Sequence, residues 1–194
     1  MTRTEIINSF IVKRGLRRYL EIGLNKSVNF DAVKADYKIS IDPNPACRAT
    51  FKMTSDAYFA LIRNWKVFYD IVFIDGLHHS DQVERDIDNS LLHLSDNGVI
   101  ICHDCNPTKE IEQRVPRETS RWNGDCWKTI VKMRQRHNLT VHTVDTDEGC
   151  AIIQKEPNHL PLRITRQLTY SNLDAHRQIW LNLITVKQFQ EIFK

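Results

Sequence analysis

The chain has 194 residues, enough for one ordinary domain or two very small ones. Hydrophobic residues make up 41% and charged residues 26%, the proportions of a globular protein. Lys and Arg number 27 against 24 Asp and Glu, a net charge of +3, which argues against a nucleic-acid-binding or membrane-binding surface. Glycine is scarce, at six, so an intact G-x-G-x-x-G loop is excluded.

No run approaches the ~18 to 20 apolar residues of a membrane span. The N-terminal MTRTEIINSF has no apolar signal core, so a cytoplasmic location is expected. Five cysteines, an odd number in no framework spacing, fit reduced thiols. Lys13, Arg14, Arg17 and Arg18 form one local basic cluster, read as a solvated helix end.

In chain order, Ile6, Ile7, Phe10 and Ile11 predict a helix over 4–14 that Gly15 stops. Residues 18–22 read as a buried strand ending at Gly23. Phe30 and Val33 suggest a short helix within 26–35. Residues 37–41 form the next strand, ended at Asp42 and stopped by Pro43 and Pro45. Residues 51–53 read as a short third strand, and Ser55 as the cap of a helix carrying Tyr58, Phe59, Leu61 and Ile62.

The apolar run 70–75, bounded by Asp70 and Asp75, predicts a strand buried on both faces. Ser80 is expected to cap a helix with the stripe Val83, Ile87, Leu91 and Leu94, broken by Asn97-Gly98. Residues 99–102 form another buried strand. The stretch 105–124 lacks periodicity and reads as a long loop, a feature usually tied to function. A helix with Trp127, Ile130 and Val131 inward follows. Strands over 139–144 and 150–154 are joined by a tight turn at 145–149. The tail from 157 reads as irregular until a last helix over 185–193 with Val186, Phe189, Ile192 and Phe193.

Strands alternating with helices predict an α/β fold: a doubly wound, mostly parallel seven-stranded sheet. The last two strands are joined too tightly for a crossover, so they should form an antiparallel hairpin at the sheet's edge.

Open α/β sheets bind ligands at the carboxyl ends of their strands. Four strand ends carry polar signatures: Glu21-Ile22-Gly23, Asp42, Asp75-Gly76-Leu77-His78, and His103-Asp104. Gly23 lets a ligand approach the backbone, while Asn25 and Ser27 supply polar contacts and a helix cap. Asp42, about twenty residues on, suits the diol of a ribose.

The order E-I-G, I-D-P, S-D-A-Y-F, F-I-D-G-L-H and I-I-C-H-D-C-N-P resembles the class I S-adenosylmethionine-dependent methyltransferases. It is nearest to small stand-alone O-methyltransferases of sugars and polysaccharides, over residues 5–155. The resemblance implies the Rossmann-like methyltransferase form of the sheet. It implies that Glu21 and Gly23 lie near the cofactor's methionine, Asp42 on its ribose, and Ser55 and Asp56 at its adenine. Asp75, with Gly76, then borders cofactor and acceptor. Asn25-Lys26-Ser27 stands where many members have further glycines.

Related enzymes hold magnesium by acids after the fourth and fifth strands. The matching positions are Asp75, His103 and Asp104, with a histidine replacing one carboxylate. That set suits manganese, iron, zinc or a tolerant magnesium site, and the alternative is hydrogen bonding to substrate without metal. His78 is favoured over His79 as the base that takes an acceptor hydroxyl's proton, because D-G-L-H resembles the family motif. Asp75 and His103 are the other catalytic candidates.

The C-x-x-C of Cys102 and Cys105 has no second pair for zinc, and it ends a strand rather than opening a redox helix. Cys102 is expected in the core and Cys105 beside the site; Cys47, Cys126 and Cys150 read as core. Arg114, Arg117, Arg121 and Trp122 in the long loop suit a carbohydrate or phosphate-bearing acceptor.

The expected activity is methyl transfer from S-adenosyl-L-methionine to a sugar or nucleotide-sugar hydroxyl, with or without a divalent Mg or Mn. Alternatives are a small phenolic acceptor, a nicotinamide-dependent oxidoreductase, or a non-catalytic nucleotide-binding module. One methyltransferase domain over 1–194 is expected, with 156–194 as an extension, acting as a monomer or homo-oligomer without nucleic acid or a membrane span.

Overall fold

The computed structural model describes residues 1–159 and 161–193. Helix α1 (Arg3–Arg14) begins with a capping box in which the Thr2 hydroxyl accepts from the Glu5 N–H and the Glu5 carboxylate accepts from the Thr2 N–H. Gly15, at φ 64°, ends it in the left-handed conformation. Then come β1 (Arg18–Ile22), α2 (Val28–Ala32), β2 (Tyr37–Ile41), α3 (Ser55–Ile62) and β3 (Tyr69–Ile74). The middle of the chain forms α4 (Ser80–Leu92), β4 (Leu94–Cys102) and α5 (Cys126–Met133). The hairpin β5 (Thr140–Val144) and β6 (Cys150–Gln154) precedes α6 (Tyr170–Trp180), β7 (Leu183–Ile184) and α7 (Val186–Ile192).

Among the described residues these strands form one seven-stranded sheet in the order β2-β1-β3-β4-β6-β5-β7. Only β6 runs against its neighbours; the other pairings are parallel. All six residues of β3 are buried, because helices cover both faces of the sheet's centre. Alternation along the strands splits the core in two. Leu20, Ile22, Val72, Ile74 and Ile100 meet α3, α4 and α5 through Tyr58, Ile87 and Trp127. Tyr19, Ile71, Phe73, Val99 and Ile101 meet α1 and α7 through Ile6, Phe10 and Phe189.

Several sequence expectations are corrected. Residues 51–53 form no strand: Phe51 makes a single bridge to Ile41, and the seventh strand is β7 instead. The hairpin is therefore not at the edge, since β7 pairs outside β5. Thr54, not Ser55, caps α3, its hydroxyl accepting from the Ala57 N–H. Ser80 is the first residue of α4, and His79 occupies the cap position. Asn97-Gly98 does not break that helix; both lie inside β4, which starts at Leu94. The tail holds α6, whose stripe is too thin to read because only Leu173 and Trp180 are buried. Trp180 stacks on Trp127 at 6.2 Å, docking the tail on α5.

Asp70 ties the lower ends of three strands together. Its carboxylate accepts from the Arg17 and Arg18 backbone N–H groups, the Arg18 guanidinium and the Ser95 hydroxyl. These donors hold its pKa well below the usual carboxylate range despite partial burial. Asp70→Ala leaves those N–H groups without their acceptor and should lower stability by about 1 to 3 kcal/mol in urea unfolding. Because the folded-state pKa is depressed, this contribution is present above about pH 4 and lost as pH falls below it. The variant should accordingly show a shallower loss of stability on acidification.

Candidate active site

A cavity of about 770 Å³ opens at the carboxyl ends of β1, β2, β3 and β4. Two turns shape its floor. Gly23, at φ 90°, lies where a Cβ would come within 2.1 Å of the Asp75 carbonyl oxygen, so the β1 turn can cross the end of β3 only with glycine there. Asp42 braces the same turn: its Oδ2 accepts from the Leu24 and Asn25 N–H groups at 3.0 Å, and its Oδ1 from Asn44 at 2.8 Å.

Of the cofactor-site residues expected from sequence, Gly23, Asn25, Asp42, Ser55, Asp75 and Gly76 line the cavity. Glu21, Ser27 and Asp56 do not, and for each the reason is a competing partner. Glu21 is buried on the α1 side of β1, where it accepts from the Tyr19 hydroxyl at 2.5 Å and the Asn29 amide at 2.9 Å. Ser27 turns to Asp31 and Arg48. Its side chain makes no cap hydrogen bond to α2. Asp56 points outward to Gln82 and Arg85. The wall beside Ser55 is completed by Thr54, Gln82 and Asp86, which sequence reasoning missed. Gln82 donates to Ser55 and to Asp86, and burial pushes the Asp86 carboxyl up to about 6. The four-residue step from Gln82 to Asp86 on an inward face of α4 was the available signal.

At the other end of the cavity, charged groups gather. Asp75 Oδ1 lies 3.3 Å from His78 Nε2 and 3.5 Å from His103 Nδ1. Asp104 Oδ2 lies 3.4 Å from His78 Nε2 and 2.9 Å from His103 Nδ1. Arg3, from the first turn of α1, donates to Asp75 Oδ2 at 2.8 Å and to both oxygens of Asp147. Asp147 sits in the β5–β6 turn and also meets His103 Nε2 at 3.4 Å. Neither Arg3 nor Asp147 has a sequence signal, because they lie 72 and 72 positions either side of Asp75. The histidines and Arg3 hold the Asp75 carboxyl far below the usual range, against its burial. For His103, burial opposes the charge, but Asp104, Asp147 and Asp75 outweigh it and its pKa is pushed up to about 12.

His78 is oriented by the long loop. Its Nδ1 faces the Trp122 carbonyl at 3.3 Å, and its ring stacks on the Trp122 indole at 5.1 Å. Gly124, at φ 62°, lies where a Cβ would meet the His78 carbonyl at 1.9 Å, so the loop seats directly on this residue. Asn123 is fully buried and donates to Asp104 Oδ1 at 2.8 Å. The His79 ring meets Trp122 edge-on and His79 does not line the cavity. Cys105 is corrected too: it is buried, with its thiol toward the Cys102 and His103 carbonyls, away from the cavity. Arg114 and Arg121 are paired with Glu110, Glu118 and Glu148, leaving Arg117, over Trp122, as the loop arginine with no carboxylate partner among the described residues.

Among the described residues, ligand atoms lie within 4.8 Å of one another in two groups, Asp75 with His78 and Asp104, and His103 with Asp147 and Cys150, so the expected set of Asp75, His103 and Asp104 is divided between them. His103 Nδ1 is buried without a hydrogen bond, since Asp104 Oδ2 at 2.9 Å lies off the line of a ring N–H. Two carboxylates and one imidazole are a donor set that fits a divalent cation.

A family model described as a methyltransferase domain matches residues 10–105. The chain has the class I methyltransferase fold. No curated protein matches the sequence. An SAH-bound methyltransferase from Podospora anserina is 14% identical, with 79% of this chain and 78% of that chain covered at a TM-score of 0.59. An O-methyltransferase from Bacillus cereus in complex with SAH is 14% identical, with coverages of 79% and 81% and a TM-score of 0.58. A methyltransferase of the mycinamycin pathway, in complex with Mg, SAH and mycinamycin VI, matches at 14% identity and a TM-score of 0.51, over 81% of this chain and 50% of that one. These three solved structures share the fold of this chain, and each holds SAH. No helix among the described residues of this chain is long and apolar enough to cross a membrane.

Glu21 supplies a test of the buried wiring behind β1. Burial pushes its carboxyl up to about 7, against the hydrogen bonds from Tyr19 and Asn29. A raised folded-state pKa means stability that is present in acid and lost as pH rises through about 7. Glu21→Gln keeps an acceptor for Tyr19 and cannot ionise. Its thermal midpoint should fall less than that of the wild type between about pH 5 and about pH 8.

Proposed function

We propose that this enzyme transfers the methyl group of S-adenosylmethionine to a hydroxyl of a sugar or glycan. The observation that carries the reading is the histidine–carboxylate cluster of His78, Asp75 and Asp104 at the end of the cavity opposite Ser55 and Gln82. In this reading Gly23, Asn25 and Asp42 receive the methionine and ribose parts of the cofactor, and Ser55 with Gln82 the adenine. Asp75 and Gly76 border the transferred methyl. Residues 1–194 act as one unit, with 156–194 as an extension packed through Trp180 and Phe189.

The acceptor oxygen attacks the methyl carbon as the carbon–sulfur bond breaks, and the sulfonium leaves as a neutral thioether. Because the donor is already activated, most of the catalysis is alignment, worth ~7 to 11 kcal/mol in well-oriented systems. The hydroxyl proton passes to His78 Nε2. Its Nδ1–H, donated to the Trp122 carbonyl, leaves that nitrogen as the acceptor. Asp75 and Asp104 then stabilise the imidazolium, the direction in which they already shift the His78 pKa against burial. Asp75, His103 and Asp104 would hold a divalent cation, which when bound lowers the pKa of the acceptor hydroxyl.

The mouth of the cavity, with Trp122, Arg117, Ser120 and Glu148, offers an aromatic surface with polar donors and acceptors, which suits a carbohydrate. A small phenol is the second reading, favoured by the similarity of the fold to a putative caffeoyl-CoA O-methyltransferase from Staphylococcus aureus (14% identity, TM-score 0.53).

Thermal shift with S-adenosylhomocysteine should show stabilisation. Stabilisation by NAD alone would overturn the reading. Labelled methyl transfer to a panel of glycans and phenols, read by mass spectrometry, decides the acceptor; label on phenols and never on glycans rejects the sugar assignment. His78→Ala should slow turnover by ~10² to 10⁴-fold, and a near-wild-type rate removes the base.

A further inference from the structure

We propose that Arg117 is a specificity-determining residue that binds an anionic group of the acceptor, a carboxylate or phosphate carried on the sugar, while the acceptor's hydroxyl reaches His78. This deepens the sugar reading given above and rests on it. It narrows the substrate class from carbohydrates in general to acidic ones, either uronic acids or sugars linked to phosphate.

Charge pairing around the cavity leaves one cation over. Among the described residues, the arginines that line it are Arg3, Arg117 and Arg121. Arg3 is spent on Asp75 and Asp147, and Arg121 on Glu148 and Glu112. Arg117 meets no carboxylate among the described residues. Its Nε donates to the Thr119 carbonyl at 2.7 Å and its Nη2 to the Ser120 carbonyl. Both acceptors are neutral, so they fix the guanidinium without cancelling its charge. A guanidinium carries five N–H donors in a planar fork that matches carboxylate and phosphate oxygens. The two carbonyls leave Nη1 without a partner among the described residues.

The long loop holds this cation beside the proposed base. The Arg117 guanidinium carbon lies 5.8 Å from the centre of the Trp122 ring, and the His78 ring stacks on the same indole at 5.1 Å. The indole is itself pinned, its Nε1 donating to the Arg114 carbonyl at 2.6 Å. The Thr119 hydroxyl donates to the Arg121 carbonyl and closes the turn that carries Arg117. With Trp122 as their shared neighbour, an acceptor whose hydroxyl reaches His78 brings its own ring substituents, or those of the next sugar residue, to Arg117. The reverse placement is disfavoured. The far end of the cavity sets Asp75 and Asp104 on either side of His78, and an anion there meets like charge. Glu148, also in the lining, is neutralised by Arg121 at 2.7 Å. The charge pattern thus selects both an acidic acceptor and its orientation, by attraction at Arg117 and repulsion at Asp75 and Asp104.

The test uses the full chain with S-adenosylhomocysteine and EDTA present, and inorganic pyrophosphate as the probe, read by calorimetry. The wild type should bind pyrophosphate, less tightly as KCl is raised. Arg117→Gln should weaken that binding ~10 to 100-fold. Arg117→Lys, which keeps the charge but not the fork, should fall between the two. No pyrophosphate binding by the wild type, or equal affinity in wild type and Arg117→Gln, overturns the proposal. In parallel, without the chelator, labelled methyl transfer compares matched neutral sugars, uronic acids and nucleotide-linked sugars. The acidic acceptors should be favoured, and the two acidic arms tell a carboxylate from a phosphate. Arg117→Gln should raise KM for the favoured acceptor with kcat little changed. Loss of kcat on neutral and acidic acceptors alike marks a merely structural role and overturns the proposal. Preference for neutral sugars overturns it and leaves the sugar reading standing, whereas label on phenols alone rejects both.

Discussion

Three carboxylates, Asp75, Asp104 and Asp147, converge at the carboxyl ends of the sheet, and they can share that space only because positive or proton-bearing groups lie between them. Arg3 bridges Asp75 and Asp147; His78 and His103 each stand between two acids. Like charges this close and this poorly solvated would otherwise keep a proton on one of them. The pairing holds Asp75 and Asp147 ionised against burial. The position of α1, the shape of the β5–β6 turn and the seat of the long loop all follow from supplying partners to these acids.

The long loop is shaped by its own hydrogen bonds before it reaches the cavity. Glu112, buried within it, accepts from the Thr108 and Lys109 N–H groups and from the Thr108 hydroxyl. Its carbonyl in turn accepts from Asn123 and Gly124. The loop thus arrives at the site already shaped, with Trp122 against His78 and Asn123 on Asp104. Trp122 and Asn123 are thereby fixed against His78 and Asp104, while Arg117 and Ser120 also line the cavity.

The two ends of the cavity differ in the same way. Beside Ser55, the expected Asp56 is replaced in the wall by Asp86, because Asp56, with half its side chain in water, finds partners in Gln82 and Arg85. At the end of β1, Glu21 was legible as a strand-end acid. Strand alternation, however, puts it on the face of α1 and α2, one residue away from the face that Ile22 shares with the cavity.

The sheet, its winding and its acidic strand ends are written in local sequence. Apolar runs such as 70–75 and 99–102 bury wherever they fall in a parallel sheet, and the tight 145–149 turn allows only an antiparallel return. Local pattern also marked Asp42, Asp75, His78, His103 and Asp104, since a polar residue ending an apolar strand needs no distant partner to be noticed. What it could not contain was Arg3 on Asp75, Asp147 behind His103, or Asn123 on Asp104. Each of those contacts joins segments far apart in the chain, and none has a periodicity. The weak seventh strand and helix α6 were hidden for a related reason: with so few buried side chains, their place is set by docking on β5 and Trp127 rather than by their own pattern. Local apolar order therefore determined where a site would lie, and only long-range packing decided which charges meet in it.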